Sequence, residues 1–528
     1  MTTTFITATT VGAGPLHSFT DDGDELVILH GSGLLSTSGA TIAGVDFGDL
    51  DVVVQGDLFS PAMQTWNGQN ILFSVGQTGT VTSSVIGTSN TFLFFQADGC
   101  EIINDGVILA SRSVGIITGG GSFVSNFGTI RAQTGVFLGG LGSQADVLVN
   151  GGLIHANGIG STGAFTAFRH AVKVGADGCI ITNLADGALV ADGTSGAGIA
   201  LLPDAGGAII RNYGSIESLS NFGVNLTLVS LGQATSSVFN RGEIVGGAGA
   251  FSGSINADVL VNRGVMVGNV LAGAGEDSLD NRRGSLEGAV NLGAGNDVLN
   301  NRNGVVSGTI FGDLGNDSLI ASDVEGDIFD GGEGVDIVDY RFGPAVQVAL
   351  DASFENAGGA VNDELFNVEH VYGSRTGADH LRGTSATNLL RGEGGADTLD
   401  GATGGDWLVG GRGIDSLIGG AANDTFMFQN LDQIGDVIAD FMATAGNDDR
   451  FQFSASGFGG GLVIGTLAAS RFQSRADNLA QDADDRFIFR TTDQTLWFDV
   501  DGSGAALAVM VADLQTGAIV TAADILLA

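Results

Sequence analysis

Positive charge is what this chain lacks most: 20 Lys and Arg stand against 59 Asp and Glu, and Lys173 is the only lysine. A net charge of −39 repels phosphate backbones and anionic bilayers, so neither nucleic acid nor an acidic membrane surface is an expected partner. Cysteine is scarce too. Cys100 and Cys179, in DGCEII and DGCIIT, show no metal-ligand spacing and read as core residues; a disulfide across coils is allowed but not required. Proline numbers 4 against 88 glycines, which suits a solenoid with tight turns and not a proline-rich stalk. No apolar run approaches the roughly 20 residues of a membrane span. The start, MTTTFITATTVGAG, carries neither a basic segment nor a continuous apolar one, so no cleaved export signal is expected there. None of the 6 histidines begins HExxH, no serine sits in G-x-S-x-G, and there is no P-loop. His170 and Lys173, in FRHAVKVG, form the one basic pair of note in the N-terminal half and read as a solvated coil edge. High net charge often means disorder. Here 43% of residues are hydrophobic and periodic, which points to a folded chain once the charge is neutralised.

The periodicity is strictest from Gly373 to Phe428. Asp379, Asn388, Asp397, Asp406, Asp415 and Asp424 stand nine residues apart, each followed two residues later by Leu381, Leu390, Leu399, Leu408, Leu417 or Phe426. Glycines at 383, 392, 401, 410 and 419 keep the same step. Six residues make a turn that glycine permits, and three make a short strand whose middle side chain points inward. Two units close one coil, so Asp379, Asp397 and Asp415 line one edge and Asn388, Asp406 and Asp424 the other. Stacked carboxylates repel, and the turn therefore calls for a cation. Carboxylate and carbonyl oxygens suit Ca²⁺ better than Mg²⁺, which demands a tight octahedron. The unit GGRGIDSLI, Gly410 to Ile418, resembles the calcium-binding nonapeptide of RTX proteins. Asn388 in place of Asp, and Ala386 and Ala422 in place of glycine, mark turns expected to bind more weakly.

A looser repeat precedes it. An apolar pair, an asparagine, a glycine and an apolar strand recur around Asn104, Asn126, Asn150, Asn183, Asn212, Asn240 and Asn262, at steps of 22 to 33 residues. Asparagine tolerates turn geometry and can stack at one place in successive coils. The pattern predicts a parallel β-helix. An antiparallel sandwich would give no reason for one corner to recur. Between Val259 and Tyr340 the two repeats interleave: Asn262, Asn281 and the Asn300–Asn301 pair alternate with Asp277, Asp297, Asp317 and Asp336. Each of these aspartates is a candidate calcium ligand.

Residues 341–372 break the nine-step; Asp339, Asp363 and Glu364 around them read as solvated acids. Beyond Phe428, IGDVIADFMATAGNDDRFQF offers Asp436, Asp440 and Asp448 as further ligands and Phe441, Phe451 and Phe453 as core. Residues 484–514 read as an antiparallel hairpin turning at TTDQT, and DVDGSG as a turn.

The chain is similar to RTX-type, hemolysin-type calcium-binding proteins, most closely over 373–428 and less so over 259–340 and 429–528; before 259 the similarity rests only on the β-helix-like repeat. That resemblance implies several Ca²⁺ ions, an extracellular or cell-surface location, and export by type I secretion machinery through the apolar end IVTAADILLA. It implies no activity, since RTX proteins include proteases, lipases, epimerases, toxins and adhesins. The expected organisation is an N-terminal cap (1–45), a parallel β-helix (46–265), a hybrid helix with calcium turns (266–340), an insertion (341–372), a calcium-binding parallel β-roll (373–428) and a C-terminal β cap with the secretion signal (429–528). The expected function is a secreted, non-enzymatic structural or adhesive rod that folds on Ca²⁺ and meets cell-surface polysaccharide or other cells. The alternative is a polysaccharide lyase or epimerase on a β-helix. Against it, residues 1–330 hold one Trp, Trp66, and one Tyr, Tyr213, as sugar platforms.

Overall fold

The computed structural model describes all residues except 1–2, 13–15, 19–23, 30, 37–41, 44–49, 60–63, 67–70, 84–90, 96–98, 140–143, 158–168, 193–195, 325 and 445. The chain divides into two units, Met1–Val298 with Val305–Thr309, and Leu299–Gly304 with Ile310–Ala528.

The first unit is a parallel β-helix. One ladder joins Thr3–Ile6, Glu25–Ile28, Asp51–Val54, Leu72–Val75, Glu101–Asn104, Phe123–Asn126 and Val147–Asn150. It continues through Ile180–Asn183, Ile209–Asn212, Ser237–Asn240 and Val259–Asn262. Two more parallel runs complete each coil, typified by Ala188–Ala191 on Ser215–Ser218 and by Val172–Val174 on Ile199–Leu201. Alternation explains the core. In every strand of the first ladder the second residue points inward, and Val52, Phe73, Ile102, Val124, Leu148 and Ile181 are fully buried. The coils begin at Thr3, well inside the region expected to be a cap. Apolar alternation sets the register there before any corner asparagine appears.

From Glu101–Asn104 onward the fourth residue of each strand of this ladder is the corner asparagine, and it is buried. Asn104 Nδ2 donates to Asn126 Oδ1 (2.6 Å), Asn126 to Asn150 (2.7 Å), and Asn150 to Asn183 (2.8 Å). The file runs on through Asn212, Asn240 and Asn262 to Asn281 at 2.8–2.9 Å. Only the first member, Asn104, has an Oδ1 with no hydrogen-bond partner.

The second unit contains the nine-residue repeats and is two-sided. One ladder stacks Ile337–Asp339, His370–Tyr372, Leu389–Arg391, Trp407–Val409, Thr425–Phe428 and Arg450–Phe453. The other stacks Val346–Ala349, His380–Arg382, Thr398–Asp400, Ser416–Ile418 and Asp436–Ile438. Partners lie two repeats apart, as two units per coil require, and Leu381 to Phe426 are all fully buried. Of residues 341–372, Glu364–Phe366 and His370–Tyr372 are coil strands, pairing with Ile328–Asp330 and Ile337–Asp339. The end is closed by a phenylalanine cluster, with Phe441, Phe451 and Phe453 in its core and ring centroids 4.8 Å (Phe441–Phe451) and 5.9 Å (Phe451–Phe453) apart. The expected hairpin is present as Phe487–Arg490 against Thr495–Phe498. Ile525–Leu527 adds a parallel strand to Phe451–Phe453, with Ile525 and Leu527 buried.

Three readings of the sequence change. Cys100 and Cys179 are buried, as expected of core residues, but the disulfide that the sequence allowed is absent. They occupy one file, separated by the coils of Ser122 and Asp146, so at about 4.8 Å per coil they lie about 14 Å apart and cannot form a disulfide. His170 is not solvated. It is 4% exposed, its Nδ1 accepts the Ala197 amide at 3.0 Å, and burial, with the Lys173 charge, pushes its pKa down to about 4. Asp339 and Asp363 are buried as well: Asp339 pairs with Arg341 at 2.7 Å, and Asp363 accepts the Tyr340 hydroxyl at 2.6 Å. Glu364 alone of that group is exposed.

Removing an interior rung of the asparagine file breaks two bonds and strands buried partners, each worth about 1–3 kcal/mol. Asn183→Ala is expected to lower the thermal midpoint of the first unit by more than Asn104→Ala, which loses one bond at the end. Equal losses in calorimetry would refute a cooperative file.

Candidate metal centre

The candidate ligands stand immediately before the strands, where the chain leaves its turn. At Asp397, Asp406, Asp415 and Asp424 the turn places a left-handed residue two positions earlier, whereas Gly377 before Asp379 has no positive φ. Gly395, Gly404 and Gly413 supply it at φ of 150°, 129° and 142°. Ala422 is forced into the same region at φ 87°, a strained conformation for an L-residue. Ala386 has no positive φ, so the turn before Asn388 is built differently.

Each carboxylate reaches one coil back. Asp397 Oδ1 accepts the Asp379 amide, and Asp415 Oδ1 the Asp397 amide, both at 2.8 Å. On the other edge Asp406 accepts from Asn388 at 2.7 Å and Asp424 from Asp406 at 2.8 Å. Asp277 and Asp297 take the amides of Asp258 and Asp277 in the first unit, and Asp336 takes that of Asp317 in the second, at 2.6–2.7 Å. One oxygen of each is thereby satisfied. The other is not: Oδ2 of Asp277, Asp336, Asp397, Asp406, Asp415 and Asp424 is buried without a hydrogen-bond partner.

These oxygens face a space kept open by glycine. A methyl group on Gly401 would lie 2.5 Å from Asp406 Oδ2 and 2.6 Å from the Gly419 carbonyl oxygen. Gly392 stands in the same relation to Asp397 Oδ2 and the Gly410 carbonyl. Among the described residues no three Asp, Glu, His or Cys side chains converge on one point. The available donors are therefore one or two carboxylates together with turn carbonyls, a hard, flexible oxygen set that fits Ca²⁺. The fit is not uniform. Both oxygens of Asp379 are already bonded to Ser374, at 2.7–3.2 Å. Asn388 Oδ1 accepts from Thr384 and its Nδ2 donates to the Glu369 carbonyl. Asp440 accepts the Gly419 and Gly420 amides.

Burial, with repulsion from neighbouring carboxylates, raises Asp277, Asp397 and Asp436 to about 8. Burial likewise raises Asp406 and Asp424 to about 7, and Asp297, Asp336 and Asp379 to about 6.

Some members were not visible in the sequence. After Asp424 the file passes to Asp449, whose Oδ1 accepts the Asp424 amide at 3.0 Å. The expected Asp448 points outward beside Arg450. Asp436, expected from the sequence, continues the other edge, accepting from Asp415 at 3.1 Å. Upstream, Asp258 precedes Asp277 and Glu369 follows Asp336. Asp449 and Glu369 stand 25 and 33 residues from their partners, steps unlike nine or twenty, which hid them; the signal was only an acid directly before an apolar strand.

The model of the RTX calcium-binding nonapeptide repeat (4 copies) matches residues 375–408 and 400–428. The chain thus carries RTX nonapeptide repeats, a family that binds Ca²⁺ at multiple sites. A comparison with curated proteins found no match.

Two outcomes follow from the geometry. Asp397→Ala or Asp415→Ala is expected to weaken calcium binding more than Asn388→Ala, because both polar atoms of the Asn388 side chain already have protein partners; a titration with the reverse order would refute this. The second concerns pH. The folded carboxylates hold protons more tightly than unfolded ones near 3.8, so stability without calcium is greatest at acid pH. It falls as pH rises from about 4 to about 8. Thermal midpoints in EDTA should drop across that range, and excess Ca²⁺ should flatten the curve. A midpoint in EDTA that rises with pH would contradict the assignment.

Proposed function

We propose that this is a secreted calcium-binding protein with a structural or adhesive role, whose C-terminal coils fold when they meet extracellular calcium. The observation that carries the reading is the file of buried carboxylates with unpartnered oxygens. Such a file is unstable at neutral pH until a cation enters it. The asparagine coils make no such demand. Extracellular calcium modules bind at about 10⁻⁴–10⁻³ M, far above cytosolic free calcium. The repeats would stay unfolded inside the cell, pass through type I secretion machinery and fold outside. RTX repeat proteins are typically secreted, and among the described residues no helix is long and apolar enough to cross a membrane. The β-helix would then present a surface to cell-surface polysaccharide or to other cells.

Circular dichroism of the whole protein tests the folding step. Chelation should remove a large part of the β signal and added Ca²⁺ restore it. A signal unchanged by EDTA would overturn the reading. Export is tested beside it: the chain should reach the medium through a type I exporter, and deleting Ala522–Ala528 should retain it.

A further inference from the structure

We propose that Asp336, Glu369 and the backbone carbonyl of Asn367 form a further Ca²⁺ site, outside the residues matched by the repeat family, which ties the turn at residues 367–369 to the turn before Ile337–Asp339. The inference rests on the calcium reading of the repeats but concerns a different donor set.

The chain leaves this ladder after Ile337–Asp339 and returns to it at His370–Tyr372, having run through the coil strands Val346–Ala349 and Glu364–Phe366 on the way. Asp336 and Glu369 are the residues immediately before those two strands. Glu369 Oε2 accepts the Asp336 amide at 2.9 Å, taking the place that the next aspartate fills in the regular repeats. The longer side chain comes from a segment of a different length, so the site is assembled only when that segment has closed. Asp336 is fully buried, its Oδ1 accepts the Asp317 amide at 2.7 Å, and its Oδ2 has no hydrogen-bond partner.

A third oxygen arrives from the same segment. Asn367 has a left-handed backbone, φ 51°, and its carbonyl closes on Gly331. A methyl group on Gly331 would sit 2.5 Å from Asp336 Oδ2 and in hard contact with the Asn367 carbonyl oxygen. Gly331 therefore clears one spot on which a carboxylate and a carbonyl converge, as Gly401 does beside Asp406. Glu369 is half-buried and Asn367 exposed, which leaves a side open for water ligands. An oxygen-only, partly hydrated and flexible set of this kind selects Ca²⁺ over Mg²⁺.

The opposite edge shows what the cation replaces. There the segment is fixed by Asp363, whose Oδ1 accepts the Asp327 amide at 2.7 Å and whose Oδ2 accepts the Tyr340 hydroxyl at 2.6 Å. A phenol satisfies the second oxygen on that edge. On the Asp336 edge no protein donor does.

The test is equilibrium dialysis of the whole protein against Ca²⁺. E369Q keeps the length of the side chain and an oxygen for the Asp336 amide, and removes only the charge. It should fold with calcium and bind one ion fewer than wild type, with the remaining ions unaffected. E369D keeps the charge on a shorter arm, and should bind that one ion more weakly. Unchanged ion count and affinity in both variants overturn this site while leaving the repeats intact. A wild-type chain that binds no calcium overturns the reading of the repeats instead.

Discussion

A carboxylate removed from water must find a partner, and most of this architecture follows from how that demand is met. Each turn aspartate spends one oxygen on the amide of the preceding coil. That bond aligns the coils and draws the side chain inside. The second oxygen comes with it and finds no donor in Asp397, Asp406, Asp415 or Asp424. Protons can fill the deficit at acid pH: burial lifts Asp397 to about 8 and Asp406 and Asp424 to about 7, and raises Asp415 as well. At neutral pH a cation would meet the same demand.

The asparagine file is the neutral counterpart. An amide side chain both donates and accepts, so a stack of them closes on itself from Asn104 to Asn281 with one oxygen left over at the end. A carboxylate only accepts, so a stack of aspartates cannot close. Both files flank the same strands between Asp258 and Asn281, as in Asp258–VLVN and Asp277–SLDN. The first unit thus combines an asparagine file that satisfies itself with carboxylates such as Asp277 whose second oxygen has no protein donor.

The repeats end where hydrophobic burial takes over. Phe426 and Phe428 are still repeat residues on one side and lie against Phe441, Phe451 and Phe453 on the other. Asp436 and Asp449 extend the two carboxylate edges into this cap. Folding of the cap and filling of the last turns are therefore joined through shared residues.

Much of this was legible in the chain itself. The nine-step of Asp379 to Asp424, the inward Leu two residues later and the recurring asparagine corner determined a parallel coil with oxygen-rich turns. These are local rules of period and turn chemistry, repeated often enough to be unambiguous. The sequence did not determine which acids were buried. Asp448 and Asp449 are neighbours, yet one faces Arg450 in solvent and the other extends the file, because strand register sends adjacent residues to opposite faces. Nor did it show that Ser374 already serves Asp379, that Tyr340 completes Asp363, or that Glu369 stands where an aspartate would. Those outcomes depend on which coil a side chain reaches across to, and only the stacked structure brings residues 33 or 36 positions apart into contact.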